Sequence, residues 1–419
     1  MRSRLRSHTL VSLGTNRKKH GVEMTRTKNL IGLAVVALLL TACTPPMPPE
    51  FKADLAERYV TCVPGEIAIA TVPELAEVTQ SWVDGISESC SDMSATVVDP
   101  VVDVETPVDL FITAPGQTPT CTAVASSPIG IDAVAVSVTV DGLDGVIFSP
   151  ALLHRALSGG MTSWADPELQ ELNPDIELTD TPVVLRTSAR PQDIAALNDW
   201  MTRLDSAGWP GSPSGLVADA AFDAEAIITE LETEGMISVG PASLITNNSL
   251  QSVSIQTSPD LEPVYLNTDT VISAGTQMVA TTSGSIVTAA LDPALAPVPP
   301  AGSDVALEPW QALNQFTITV CSGANEMAGR AFARYALRLD SQGVMIVAGF
   351  TELPEQIRTA GVAAVSEGLP EPTIPPSDAP EAEVPTEFPS DDPTEFPSEE
   401  PLEEDAEEVT DAATPEPTS

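Results

Sequence analysis

The sequence predicts a two-lobe α/β protein followed by a disordered acidic tail, and three observations predict it. Between about residues 55 and 365, short apolar runs alternate with amphipathic ones, the pattern of helices packed on a largely parallel sheet. That stretch exceeds the ~250–300 residues at which single cores stop growing, so it divides into two lobes. From Ser366 to Ser419 the chain is dominated by Pro, Glu, Asp, Ser and Thr and has no lysine or arginine. Such a composition cannot bury enough apolar surface to fold.

The first element is an export signal. Arg26 and Lys28 precede the apolar run Leu30–Leu40 and then LTAC. A run this short falls below the roughly 20 residues that a spanning helix needs. Leu40 and Ala42 ahead of Cys43 resemble the bacterial lipobox. The resemblance implies cleavage after residue 42 and acylation (diacylglycerol, palmitate) of Cys43, which anchors the chain to the extracytoplasmic face of the cell membrane. An ordinary signal peptide with a chance cysteine is the weaker alternative. The basic residues before Met24 add nothing to such a signal, which makes Met24 a candidate start. Residues 43–55 then read as the lipidated tether, with TPPMPPE (Thr44–Glu50) as an extended spacer.

Charge and cysteine content agree with life outside the cell. The formal net charge is -42 over 419 residues, and Lys52 is the only lysine after Cys43. Nucleic acid is excluded as a partner, because a phosphate backbone demands a basic footprint. Cys62, Cys90, Cys121 and Cys321 follow the lipidation cysteine. An even number in an oxidising compartment predicts two disulfides, with three pairings open. No CxxC or paired histidine accompanies them, so no metal site and no cofactor is expected.

Within the body, Ile67–Ala70 reads as a strand turning into a helix at Thr71 and Pro73, where proline suits a first helical turn. VDLFITAP is a buried strand ending at Thr113, and Ile131–Val140 is another. Ser149 and Pro150 open a helix that Gly159 and Gly160 close. Val183–Leu185 is a strand leading through a short loop to a helix with Pro191 in its first turn. His154, on an amphipathic helix with no histidine or cysteine in register, reads as a surface residue. The tail carries a tandem octad, PTEFPSDD then PTEFPSEE. It reads as a solvated spacer; the sharper alternatives are docking through Phe388 and Phe396, or weak cation binding.

The stretch from Ala151 to Asp193 resembles the central segment of the periplasmic phosphate-binding proteins of ABC importers. Gly160, Trp164, Asp166, Pro167, Leu172, Asn173, Pro174, Asp180, Pro182 and Arg186 stand at matching places. Weaker echoes at Gly235–Asn248 and Ala348–Ile357 extend the resemblance over roughly residues 65 to 360. None of these matched positions needs to touch a ligand, since tryptophan, proline and glycine there are equally well explained by turn geometry and packing. The resemblance implies a Venus-flytrap of the type II periplasmic binding protein class. Lobe I would comprise residues 56–132 and a return at 309–365, lobe II residues 133–308, and the tail residues 366–419. All four mature cysteines then fall in lobe I.

A buried oxyanion needs many donors from backbone N–H groups, hydroxyls and arginine. Three strand ends fit that need: Thr71, Thr113, and the loop Arg186-Thr187-Ser188, each where open α/β sheets bind ligands. The family's third loop, R-x-D-G-S-G-T, here reads RTSARPQD, which keeps an arginine but lacks both glycines. Its S-D-A-P strand end has become ITAP, with Thr113 at the aspartate position, so the discrimination of that charged acceptor is lost. Its first loop has become AIATVPE. The competing structural roles are a carboxylate pair for Arg186 and a helix cap for Ser188.

No GxSxG, HExxH or Walker loop is present, and the chain reads as a non-enzyme. The leading function is a lipid-anchored, monomeric solute-binding protein that takes phosphate, another small anion or a polar solute to an ABC permease. The alternative is a degenerate member of the fold acting as a surface interaction or scaffold lipoprotein.

Overall fold

The computed structural model describes residues 48–99, 107–140, 143, 145–220, 228, 233–258, 260–299 and 303–370. The signal segment with Cys43, and residues 371–419 of the tail, lie outside them.

The chain enters with a helix, Pro49–Arg58, that buries Ala53 and Ala56. Helix therefore begins inside the segment read as an extended spacer, because proline at the first helical position is already set to φ ≈ -65° and lacks only a donor the helix does not use. Strand β1 (Gly65–Ala70) follows, then a 3₁₀ turn at Pro73–Leu75 and helix α1 (Ala76–Ser89). Strands β2 (Met93–Val98) and β3 (Leu110–Thr113) flank β1, both parallel to it. This α/β start is the one expected from Ile67, Pro73 and Thr113.

Strand β4 (Ala123–Thr139) organises the rest. The seventeen-residue strand is buried along almost all its length, and its run AVAVSV shows the continuous apolarity of a strand covered on both faces. It begins eight residues before the predicted Ile131. Helix α2 (Pro150–Leu157) is capped by Ser149, whose hydroxyl accepts from the Leu152 N–H, and is followed by Gly159 at φ 76°. Strand β5 (Val184–Leu185) leads to helix α3 (Pro191–Leu204), and β6 (Met236–Pro241) comes next. A hairpin, β7 (Met278–Ser283) and β8 (Ile286–Leu291), precedes β9 (Leu313–Cys321) and the closing helices α4 (Glu326–Ala336) and α5 (Glu355–Val365).

The sheet order is β7-β8-β4-β9-β3-β1-β2. β9 runs antiparallel to both β3 and β4, and β4 is antiparallel to β6. The sheet is therefore mixed rather than largely parallel, since both strands that return through the middle reverse direction. β4 pairs with β9 up to Ala133 and with β6 from Val134 onward, so one strand passes from the first lobe into the second. Trp310 seals this changeover. Its Nε1–H donates to the Val134 carbonyl at 2.9 Å and its ring lies 4.6 Å from that of Trp200 on α3. The hairpin β7–β8, expected in lobe II, joins the first-lobe sheet through Ile286 and Ser126, because its exposed edge finds a partner on the amino-terminal half of β4.

The stretch around Trp164 holds the second lobe together. Trp164 is fully buried and donates from Nε1 to the Gly235 carbonyl at 2.9 Å. Gly235 itself has φ 83°, and a Cβ there would meet the Pro182 carbonyl oxygen at 2.3 Å, so no other residue fits. Asn173 bonds the Ile147 N–H and carbonyl in both directions, and Asp166 caps the Pro167–Leu172 helix. The positions that carry the family resemblance thus do turn and packing work. Trp164→Phe is expected to lose about 1–3 kcal/mol, the cost of an unpaired buried acceptor and a small void, read by urea unfolding.

The disulfides join Cys62 to Cys90 and Cys121 to Cys321. The first ties the lead-in of β1 to the end of α1. The second ties the segment ahead of β4 to the end of β9.

Candidate functional site

A cleft of about 600 Å³ opens between the first-lobe sheet and α3. Thr113, Gln315 and Thr317 line its sheet side; Ala196, Asp199 and Arg203 line its helix side. Arg203 donates to the Gln311 carboxamide at 3.3 Å. Arg203 is exposed, and the desolvation it meets at the cleft wall lowers its guanidinium from the ordinary arginine value, against the opposing charge of Asp199. Thr113 directs its hydroxyl to the Thr317 carbonyl at 3.5 Å, a long bond that a better acceptor can displace.

Of the five sequence-predicted ligand residues, Thr113 lines this cleft. Thr71 shares a 3.0 Å hydroxyl contact with Thr79 at the start of α1. Arg186 donates from Nη1 to the Ser188 carbonyl at 2.6 Å, folding back on its own loop. Ser188 does not cap α3; its hydroxyl donates to Asp219 at 2.8 Å, and residues 188–189 pair with 217–218 as a short parallel ladder. Thr187 is exposed, and its carbonyl accepts from the Val217 N–H. The reason is local. With the two glycines replaced by Ala189 and Pro191, the loop runs extended into α3 instead of curling its N–H groups around a ligand.

Arg190, four residues beyond Arg186 in the same loop, is 3% exposed and stands at the junction of the lobes. Nε and Nη2 donate to the two carboxylate oxygens of Asp193, both at 2.7 Å, in the parallel fork that suits guanidinium and carboxylate. Nη1 donates at 2.7 Å to Glu74, on the 3₁₀ turn after β1. Asp132, on β4 just before the changeover, lies 3.9 Å from Nη2. Asn314 on β9 donates to Asp193, and Ser243 donates to Asp132 through both its N–H and its hydroxyl. Five elements meet here around one cation.

Three carboxylates sharing one guanidinium in a dry site cannot all stay cheaply ionised. Burial pushes the Asp132 carboxyl up to about 7, although Arg190 and the Ser243 donors oppose it and Asp193 adds to it. Burial likewise raises Asp193, against the pull of Arg190 and Asn314. The ordinary carboxylate loses its proton near 4 in the unfolded chain, whereas folded Asp132 keeps it until about 7. The folded state therefore binds more protons across that window. The stability that this contributes is complete below about pH 4 and is lost as pH rises towards 7. Asp132→Asn is expected to flatten that decline between pH 5 and 7.5 in urea melts, whereas an unchanged slope would remove Asp132 as its source.

His154 is half-buried, its ring 5.2 Å from that of Trp209, so it packs rather than standing in solvent. Among the described residues, no group of three or more His, Cys, Asp or Glu side chains is arranged to hold a metal ion.

No family profile matches the chain. Phosphate-binding protein PstS 3 of Mycobacterium leprae is 25% identical over 154 residues, covering 34% of this chain and 41% of that protein. The chain thus spans about two fifths of the length of the curated relative it matches. Among solved structures, a phosphate-binding protein from Stenotrophomonas maltophilia overlaps with TM-score 0.44 and 11% identity, over 71% of this chain and 93% of that one. An ABC-type phosphate transport receptor from Vibrio cholerae overlaps with TM-score 0.41 and 10% identity, over 69% of this chain and 100% of that one. The match to the Mycobacterium leprae protein agrees with the resemblance to periplasmic phosphate-binding proteins read from the sequence.

Proposed function

We propose that this chain is a membrane-tethered solute-binding lipoprotein that holds a small anion or polar solute in the cleft beside α3 and delivers it to an ABC permease. The observation that carries this reading is the cleft itself, about 600 Å³ in volume and lined by both Thr113 and the exposed Arg203. A guanidinium in such a setting is a strong partner for a carboxylate, sulfate or phosphate group. The lipobox supports anchoring through Cys43, and the family resemblance supports import rather than catalysis. Arg186, Ser188, Thr187 and Thr71 do not line the cleft, so Thr113 and Arg203 are the proposed ligand residues.

The test is thermal unfolding of the form lacking residues 1–43 with phosphate, sulfate, phosphonates and a panel of polar solutes at millimolar concentration. A ligand that binds only the folded state raises the melting point by mass action. The expected result is a shift with one compound that Arg203→Ala abolishes and Arg186→Ala retains. Flat curves across the panel would sink the reading in favour of a ligand-free scaffold.

A further inference from the structure

We propose that Glu74 is an intramolecular ligand: its carboxylate occupies an oxyanion site on Arg190, latching the two lobes together without solute and barring external anions from that site. The cluster, not the cleft, is where the first loop and the third loop meet. Glu74 comes from the turn after β1, and Arg190 from the loop ahead of α3, 116 residues later. Their 2.7 Å contact has the length of a charge-assisted bond to an oxyanion.

The two carboxylates that fork around Arg190 differ in kind. Asp193 is on the same helix start, fully buried, and also bonded by Asn314. That geometry makes it a structural partner. Glu74 is 20% exposed, sits on a three-residue turn with the Thr71 strand end before it, and reaches Arg190 from the opposite lobe. A side chain so placed can swing into solvent and uncover Nη1 of a buried guanidinium for another oxyanion. With Glu74 in place, the single positive charge already faces Asp193 and Glu74 at bonding distance, and Asp132 beyond them. An incoming phosphate or sulfate then meets net negative potential. The loop without those glycines thus carries a second cation, Arg190, and the chain supplies that cation's anion from within.

Removing Glu74 is expected to unmask the site. In the full chain held in detergent, Glu74→Ala and Glu74→Gln are melted with and without millimolar inorganic phosphate or sulfate. Glu74→Ala should gain an anion-dependent rise of roughly 2–4 °C that the unsubstituted chain lacks at this site. Glu74→Gln, which keeps the shape but not the charge, should gain a smaller one. The measurement is repeated in an Arg203→Ala background, so that binding in the cleft is separated from binding at Arg190. A rise that persists in Glu74→Ala/Arg203→Ala supports the latch. A folded Glu74→Ala protein with no anion response in that background overturns it, as does an equal response in Arg203→Ala with Glu74 intact. Failure of the cleft proposal would show instead as flat curves with Glu74 present, irrespective of what its removal does.

Discussion

Arg190→Ala is expected to lower folding stability by about 3–5 kcal/mol, far more than any exposed arginine of this chain. The reason is what stays behind. Asp193 and Asp132 are 0% and 1% exposed, and without the guanidinium both are buried carboxylates with only neutral donors for company. Each must either ionise without a counter-charge or take up a proton, and both routes cost the folded state. In a chain of this size the loss corresponds to a fall of roughly 6–10 °C in melting temperature. Glu74→Ala removes a partner that is partly in water, and its cost should be nearer 1 kcal/mol. Equal small losses for both variants would mean that the cluster is solvated, and the latch would lose its physical basis.

The second large effect concerns the Cys121–Cys321 bridge. Its partners are separated by 200 residues, against 28 for Cys62–Cys90. Closing a loop in the unfolded chain costs entropy that grows with the logarithm of its length, so the longer bridge is worth about 1.7 kcal/mol more than the shorter. Replacing both cysteines of the long loop by serine should therefore cost about 2–5 kcal/mol, measured by denaturant unfolding. Cys321 also packs against Ala70 and Phe111, which adds a local loss when the sulfur goes. If the short-loop variant proved the less stable of the two, loop entropy would not be the governing effect.

The sequence disclosed what neighbours along the chain decide. Ser149 as a cap, Pro150 and Pro191 in first turns, Gly159 past a helix end and the strand before Thr71 are all local chemistry, and each stands where it was expected. What depended on distant partners was less legible. The amino-terminal half of β4 contains Ser126, Ser127, Pro128 and Gly130, which interrupt an apolar pattern, yet it is buried because β9 and β8 cover it. The hairpin at 278–291 carries no mark of which lobe it joins. Arg190 is the sharpest case. Nothing next to it in sequence except Asp193 hints at burial, because Glu74, Asp132 and Asn314 arrive from three other elements. A rule that could have found it is scarcity: with one lysine and few arginines after Cys43, each remaining cation in an acidic chain is a candidate hub for carboxylates.

The helix Pro49–Arg58 carries a mechanical consequence. Glu57 near its end holds Arg358 of α5 and accepts from the Leu339 N–H, so the helix is riveted to the body. If the lipid sits on Cys43, only the residues from Cys43 to Pro48 separate it from this helix. At about 3.3–3.6 Å per fully extended residue, that separation is at most about 20 Å. A lipid on Cys43 would then hold the start of this helix within that distance of the bilayer.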